Sequence, residues 1–336
     1  MLTGIISLIL LIGSSPACLA KGVAGEPSAA RNGSISTIAA MGKGRAAHSA
    51  TLLRTVESSS PAIVLAGSTP GDTAVLSMLT IGQEKPIDFI RWDLTIAPIR
   101  RDAGTFALAM VFGEGEPNTP GFKHGGQRRT ISGGYVVARN RYSDIYSFTG
   151  KDASGRFSLV KLNADLFHLL SPTNELMVGN GGWSYTLTRR GAAGPTAGEP
   201  PFWTTSQMSD VAETVFDGRT PCQEFAAEYK MAAGPDCHKL KWKLTLYRDN
   251  TTKQPTAYKL QHTLINHKVV EGKWAISNNS NNGSKAIIYR LDPDKPGRSI
   301  SFLAGDENVL FFLDRESRLM PGNEHFGYTL NRRINK

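Results

Sequence analysis

The stretch Leu240-Lys241-Trp242-Lys243-Leu244-Thr245-Leu246 decides the fold, because apolar and polar side chains alternate along its whole length. A period of two places the two sets of side chains on opposite faces of a β-strand, so the stretch predicts a strand with one buried and one solvated face. A closely similar stretch, Ile90-Arg91-Trp92-Asp93-Leu94-Thr95-Ile96, occurs earlier in the chain. This recurrence predicts that one fold is encoded twice.

Three further pairs of segments recur in the same order in both halves of the chain. GSTP at 67–70 returns as GRTP at 218–221, LMVGN at 176–180 as LMPGN at 319–323, and YTLTRR at 185–190 as YTLNRR at 328–333. Ordered matches of this kind indicate an internal duplication. We therefore predict homologous units at 61–190 and 205–336, a Pro- and Gly-rich linker at 191–204, and a flexible leader at 21–60.

Each unit consists of short apolar runs separated by Gly, Pro, Asn and Asp, the residues that favour turns. The run at 258–264 is typical of these strands, and the segment 223–231 is the one helix that we predict. Short strands with regular turns favour an antiparallel barrel or sandwich, and closing the sheet removes exposed edges. The fold class that we predict is all-β, with two tandem antiparallel β-barrels.

The first residues predict export. The apolar run IISLILLI at 5–12 is followed by small residues, which is typical of a signal peptide at 1–20 and too short to cross a bilayer. The alternative is a lipoprotein in which Cys18 is acylated and serves as a lipid anchor. No later stretch predicts a transmembrane helix. We expect a location in the periplasm, at the outer membrane or outside the cell.

Charge and motifs favour a protein that is not an enzyme and does not bind nucleic acid. The 336 residues include 38 Lys and Arg against 29 Asp and Glu, a net charge of +9. The basic residues are scattered as short pairs, which is typical of a solvated surface rather than of a nucleic-acid footprint. Nucleotide-binding and hydrolase fingerprints are not found in the sequence.

Two cysteines remain after removal of a signal peptide that contains Cys18. Cys222 and Cys237 flank the predicted helix, and an oxidising compartment favours one disulfide between them. The alternative is a soft-metal site in which the two thiolates act with His238 and with His262 on a neighbouring strand. Thiolate and imidazole ligands suit Cu(I) or Zn²⁺.

Large aromatic residues are candidates to line a cavity inside a barrel. They could stack on a ligand, or they could fill the barrel core, and His262 lies on the same predicted strand face as Leu260. His168, within the apolar run 166–170, has a packing role in our interpretation. The cavity candidates are Trp92, Trp183, Trp242, Trp274 and His262.

The second unit resembles the N-terminal domain of the NlpE family, bacterial envelope lipoproteins associated with copper homeostasis. The resemblance rests on GRTPC at 218–222, DC at 236–237, LTL at 244–246, EGKW at 271–274, FFLD at 311–314 and YTL at 328–330. It implies lipocalin-like barrels. The family has a C-x-x-C pair, whereas Cys222 and Cys237 lie far apart, and the first unit has Gly71 in place of Cys222.

The resemblance implies a non-enzymatic exported envelope protein with two NlpE-like barrels. Its role would be surface sensing, metal (copper) stress or contact with another envelope protein. The alternative function is that of a lipocalin-like carrier, which would hold a small apolar ligand inside one barrel.

Overall fold

The structure is a computed structural model that describes residues 61–139, 143–192, 194–195, 211–279 and 286–334. The predicted signal peptide with Cys18, the predicted leader and most of the predicted linker lie outside the described residues. The two barrels described below belong to one compact unit.

The first barrel is a closed antiparallel sheet of eight strands in which each strand pairs with the next along the chain. The last strand closes the barrel by pairing with the first, with Leu65 opposite Arg189. A short helix, α1 (Thr73–Met78), follows the first strand. The strands are β1 (Ile63–Pro70), β2 (Phe89–Arg100), β3 (Ala103–Gly113), β4 (Gln127–Arg139), β5 (Asp144–Gly150), β6 (Arg156–Lys161), β7 (Leu166–Leu170) and β8 (Thr186–Arg189).

The second barrel repeats this arrangement, with eight strands and a short helix, α2 (Gln223–Glu228), after its first strand. Its closing pair places Asn331 opposite Asp217. The prediction of two tandem all-β barrels is confirmed. The strands are β9 (Glu213–Thr220), β10 (Leu240–Arg248), β11 (Pro255–His262), β12 (Val270–Asn279), β13 (Ala286–Leu291), β14 (Ser301–Ala304), β15 (Val309–Leu313) and β16 (Thr329–Arg332).

In β10, the alternate side chains predicted to face the core are buried. Leu240, Trp242, Leu244 and Leu246 are all buried in the second barrel. A shift of one residue would turn these side chains to solvent, and exposing a large aromatic side chain alone costs several kcal/mol. The apolar alternation therefore determines which face of β10 lies inside the barrel. Trp242 also donates an indole N–H to Thr220 Oγ1 at 2.8 Å, which satisfies its polar atom inside the core.

Local details differ from the sequence-based expectation in three places. The predicted strand at 258–264 ends at His262, because Thr263–Ile265 form a 3₁₀ turn. The predicted helix at 223–231 ends at Glu228, because Lys230 enters the left-handed region with φ 52°. Helix α1 was not predicted. Asp72 begins it by accepting a hydrogen bond from Val75 N at 3.2 Å, the role of an N-cap residue.

Each barrel has its own apolar core, and a third apolar cluster joins the two barrels. It forms because strands β7 and β15 are buried along their whole length, one face covered by their own barrel and the other by its neighbour. The two barrels therefore share part of their hydrophobic core. The cluster contains Val160, Leu162, Leu166, Leu170 and Leu176 from the first barrel, with Ala286, Ile288, Leu303, Val309, Phe311, Leu313 and Leu319 from the second.

The contact between the barrels follows the internal repeat. The backbone N–H of Gly179 donates to Asn331 Oδ1 at 2.8 Å, and the N–H of Gly322 donates to Thr188 Oγ1 at 3.0 Å. Gly179 corresponds to Gly322 in the repeat, and Thr188 corresponds to Asn331. Each hydrogen bond is thus the repeat-related copy of the other. The same patch of each barrel contacts the other barrel, as in a two-fold symmetric dimer.

Two pairs of equivalent residues meet at the centre of this interface. Thr186 Oγ1 lies 2.8 Å from Thr329 Oγ1. The ring of His168 contacts the ring of Phe311 edge-on, with centroids 5.4 Å apart. Because a residue meets its own repeat counterpart only near a symmetry axis, the pseudo-two-fold axis passes close to both pairs.

Candidate functional site

Cys222 and Cys237 form a disulfide, with their Cα atoms 5.6 Å apart. The predicted disulfide is confirmed. It closes the segment that contains α2 and ties this helix to the polypeptide before β10. Because both sulfurs are bonded to each other, neither can serve as a thiolate ligand for a metal ion.

The two histidines of the alternative metal site have different environments. His238 is exposed, with Nδ1 3.1 Å from the carbonyl oxygen of Asp236. His262 is buried against Trp242, with ring centroids 4.6 Å apart, and burial lowers its pKa to about 4. Across the described residues, no group of three or more His, Cys, Asp and Glu side chains could hold a metal ion. The residues present therefore do not fit the copper site that the resemblance implies.

The candidate cavity tryptophans are placed in the packed interiors of the barrels. Trp92 is 1% exposed and contacts Phe157 edge-on, and Trp242 lies between Phe225 and His262. Trp274 is also buried, in contact with the ring of Tyr289. Of the candidates, Trp242 and His262 are in direct contact. Trp92 belongs to the other barrel.

His168 has the packing role predicted for it. Its side chain is completely buried, and both ring nitrogens have partners: Thr186 Oγ1 at 3.0 Å and the carbonyl oxygen of Met177 at 2.9 Å. Burial lowers its pKa to about 4. The ring is a satisfied core histidine that joins β7, β8 and the polypeptide between them.

A cleft of about 300 Å³ lies where the two barrels meet. Its lining contains equivalent positions from both repeats, so the same surface of each barrel contributes to it. The repeat has diverged at every one of these positions, which makes the cleft chemically asymmetric. The pairs are Ser68 with Arg219, Arg91 with Lys241, and Trp183 with Phe326.

Stacked aromatic rings orient the arginines of the cleft. Phe122, Phe89 and Trp183 form a nearly parallel series, with centroid separations of 4.0 and 4.7 Å. The guanidinium carbon of Arg219 lies 5.5 Å from the Trp183 ring centroid, and that of Arg91 lies 5.3 Å from the Phe122 centroid. Cations at this distance are attracted to the ring faces, so the stack restricts both guanidinium groups.

Three buried nitrogens of the cleft have no hydrogen-bond partner within the described part of the chain: Nε of Arg91, Nε of Arg219 and Nδ1 of His325. Arg91 uses Nη2 to donate to the carbonyl oxygen of Pro120. Burial lowers the pKa of Arg91 and of Arg219, because each guanidinium has lost contact with water, and the nearby Glu324 carboxylate partly offsets this effect at Arg91. The site thus holds cationic donors that need acceptors.

Positive charge exceeds negative charge in the cleft lining. Counting the described lining residues, two arginines and two lysines face two carboxylates. One carboxylate, Asp88, already accepts the backbone N–H of Gly115 at 2.8 Å. Burial lowers the pKa of Lys239, and the neighbouring Arg219 and Lys241 lower it further. An anion entering the cleft would relieve this repulsion.

Sequence reasoning did not find this cleft. Arg91 and Arg219 belong to different repeats and lie far apart in the chain, so no spacing rule connects them. The sequence marks Trp183 only as an aromatic residue that could stack on a ligand. The available signal was the comparison of the repeats: Arg219 stands in place of Ser68, while the glycine before it and the Thr-Pro after it are the same in both repeats.

Comparison of the chain with protein-family models, with curated proteins and with solved structures gives no match. The resemblance to the NlpE family therefore stays a prediction from the residues quoted above. Within the described residues, every helix is too short or too polar to cross a membrane.

Proposed function

We propose that this chain is a non-enzymatic, exported binding protein of the cell envelope, and that the cleft between its barrels recognises an oxyanion group of its ligand. A carboxylate or a phosphate has this chemistry. The observation that carries the proposal is the pair of buried Nε atoms of Arg91 and Arg219 at the edge of one cavity, neither of which has an acceptor among the residues that the structure describes.

The physical reason is the free energy of an unsatisfied buried donor. A buried polar group without a partner costs about 1–3 kcal/mol, and more when it is charged. Arginine presents its donors in a planar fork that matches two oxygens of a carboxylate or phosphate. An oxyanion in the cleft would accept from Nε and from a neighbouring Nη atom, replacing the water that burial removed.

The position of the cleft favours recognition at the surface. The cavity lies between the barrels, whereas Trp92 and Trp242 fill the barrel interiors. This arrangement supports surface sensing or contact over the carriage of an apolar ligand inside a barrel. Copper is not part of the proposal, because Cys222 and Cys237 are bonded to each other.

Titration calorimetry with inorganic phosphate and with acetate tests the proposal. Loss of one charge-assisted hydrogen bond corresponds to about 1.5–3 kcal/mol, so Arg219→Gln should weaken binding about tenfold or more. Arg156→Gln is the matched control, because Arg156 is exposed on β6 and is not part of the cleft lining. Equal affinity of the wild type and the R219Q variant would refute the proposal.

A further inference from the structure

A second basic cavity of about 310 Å³ lies against the outer face of β2, β3 and β4. The outward side chains of Ala109 and Val111 on β3 belong to its lining, and both are short. Arg91 on β2 lies opposite Val111 on one side, and Arg128 on β4 lies opposite it on the other. The cavity is therefore a groove that passes over these two short side chains, with an arginine on each side.

The lining of this groove is also predominantly cationic. Among the described residues, it contains Arg91, Arg128, Arg129 and Arg190, against the carboxylates of Asp93 and Glu324. Three of the four cations already have partners, and Arg91 has one through Nη2, which donates to the carbonyl oxygen of Pro120. Arg190 forms an ion pair with Asp93 at 2.6 Å, and Arg129 Nη1 donates to the carbonyl oxygen of Thr80 at 2.6 Å. The Nε donor of Arg91 and the exposed side chain of Arg128 are available to a further anion.

Arg91 belongs to both cavities, so the cleft and the groove are adjacent. The segment 324–326 borders them as well: Glu324 lines the groove, His325 and Phe326 line the cleft, and Ser68 Oγ donates to the Glu324 carbonyl oxygen at 2.8 Å. Adjacent strands are about 4.8 Å apart, so the backbones of Arg91 and Arg128, two strands apart, are separated by about 10 Å. The cleft and the groove therefore form one continuous basic surface, with Arg91 at their junction.

We infer that the ligand is an elongated small molecule with at least two oxyanion groups, one held in the cleft by Arg91 and Arg219 and the next held in the groove by Arg128. This inference rests on the proposed function and names the ligand class for the same site. A short chain of phosphates and a short chain of carboxylates share this chemistry.

Titration calorimetry at constant ionic strength tests the inference with three probes: orthophosphate, tripolyphosphate and a glutamate tripeptide. The tripeptide can extend about 10 Å at ~3.3 Å per residue. We expect at least one of the two chain probes to bind about tenfold more tightly than orthophosphate. The tighter chain probe identifies whether the oxyanions are phosphates or carboxylates.

The variants separate this inference from the proposed function. Arg128→Gln should weaken the tighter chain probe about tenfold and leave orthophosphate binding unchanged, whereas Arg219→Gln should weaken both. Arg156→Gln, an exposed arginine outside both cavities, should change neither. If Arg128→Gln has no effect while Arg219→Gln weakens orthophosphate, the inference is wrong and the proposed function stands. If Arg219→Gln has no effect on any probe, both are wrong.

Discussion

Acidification should destabilise the protein through His168 at the centre of the interface between the barrels. The Met177 carbonyl oxygen near Nε2 can only accept a hydrogen bond, so Nε2 carries the proton of a neutral ring. Nδ1 then accepts from the Thr186 hydroxyl. Since the ring is completely buried against Phe311 of the shared apolar cluster, protonation would place a charge there without an acidic partner among the described contacts, and burial lowers the pKa to about 4.

The magnitude follows from the difference between the folded and unfolded pKa values. A decrease from 6.5 to about 4 at about 1.36 kcal/mol per unit gives about 3 kcal/mol. The unfolded chain binds the proton first as the pH falls, so the free energy of unfolding decreases between pH 6.5 and 4. Above pH 6.5 the contribution of the neutral ring is fully present, and below pH 4 it is lost.

Asp306 changes stability in the opposite direction. Burial raises its pKa from 3.8 to about 6, although its carboxylate accepts the backbone N–H groups of Asn308 and Val309. The folded state therefore binds this proton first, and the free energy of unfolding rises as the pH falls from 6 to 3.8. Because the two effects oppose each other, only the difference between the wild type and a variant isolates one of them.

The assay is urea unfolding, followed by tryptophan fluorescence at pH 7.5, 6.5, 5.5 and 4.5. His168→Gln keeps a polar side chain but cannot titrate. The free energy of unfolding of the wild type minus that of this variant should therefore fall by about 2 kcal/mol between pH 7.5 and 4.5. His168→Phe, which introduces the residue of the equivalent position Phe311, is the second variant. Asp306→Asn, which introduces the residue of the equivalent position Asn163, should show the opposite trend. A difference that does not change with pH in either histidine variant would refute the reasoning.

Three further predictions concern the second barrel. Replacing both Cys222 and Cys237 by Ser should lower the free energy of unfolding by about 3 kcal/mol, since the disulfide closes a separation of 15 residues, and non-reducing peptide mapping should show the bond in the wild type. Trp242→Ala should lower it by about 3–5 kcal/mol in a urea titration, because the buried ring would leave a cavity. Gly272→Ala should lower the melting temperature, because the new Cβ would lie 2.2 Å from Asp292 Oδ1. Overpacking of this kind lowers the free energy of unfolding by about 1–3 kcal/mol.

Each of these predictions has a control. Reductant should destabilise the wild type and leave the double serine variant unchanged. A negligible effect of Trp242→Ala would mean that the parity of β10 is wrong. Gly234→Ala should be nearly neutral, because nothing lies within 4 Å of the added Cβ. Equal melting temperatures for the two alanine variants would contradict the close packing at Gly272.

The strands could be predicted because their determinants are local. The alternation around Trp92 and around Trp242 fixes the parity of β2 and β10 within a few residues, and the turn formers mark where strands end. Helix α1 was missed because its six residues are too few for a helical period to emerge, although Asp72 is a suitable N-cap. The disulfide between Cys222 and Cys237 was predicted from another local signal, the apolar run near the N-terminus that predicts export to an oxidising compartment.

The interface and the cleft depend on contacts between distant parts of the chain. One signal of the interface was present: the runs 166–170 and 309–313 are apolar without alternation, which indicates strands buried on both faces. The neighbouring sequence does not indicate that the second face of each of these strands is covered by the other barrel. The cleft requires Arg91 from one repeat and Arg219 from the other, and their convergence depends on how the barrels meet.

The pseudo-two-fold axis has a consequence for directionality. In a true homodimer, a molecule bound across the axis would find identical half-sites and could enter in either of two equal orientations. Here one polypeptide supplies both halves, so a single substitution changes only one of them. With Ser68 on one side and Arg219 on the other, the two ends of a molecule bound as proposed would meet unlike surroundings, so the cleft would accept it in one orientation only.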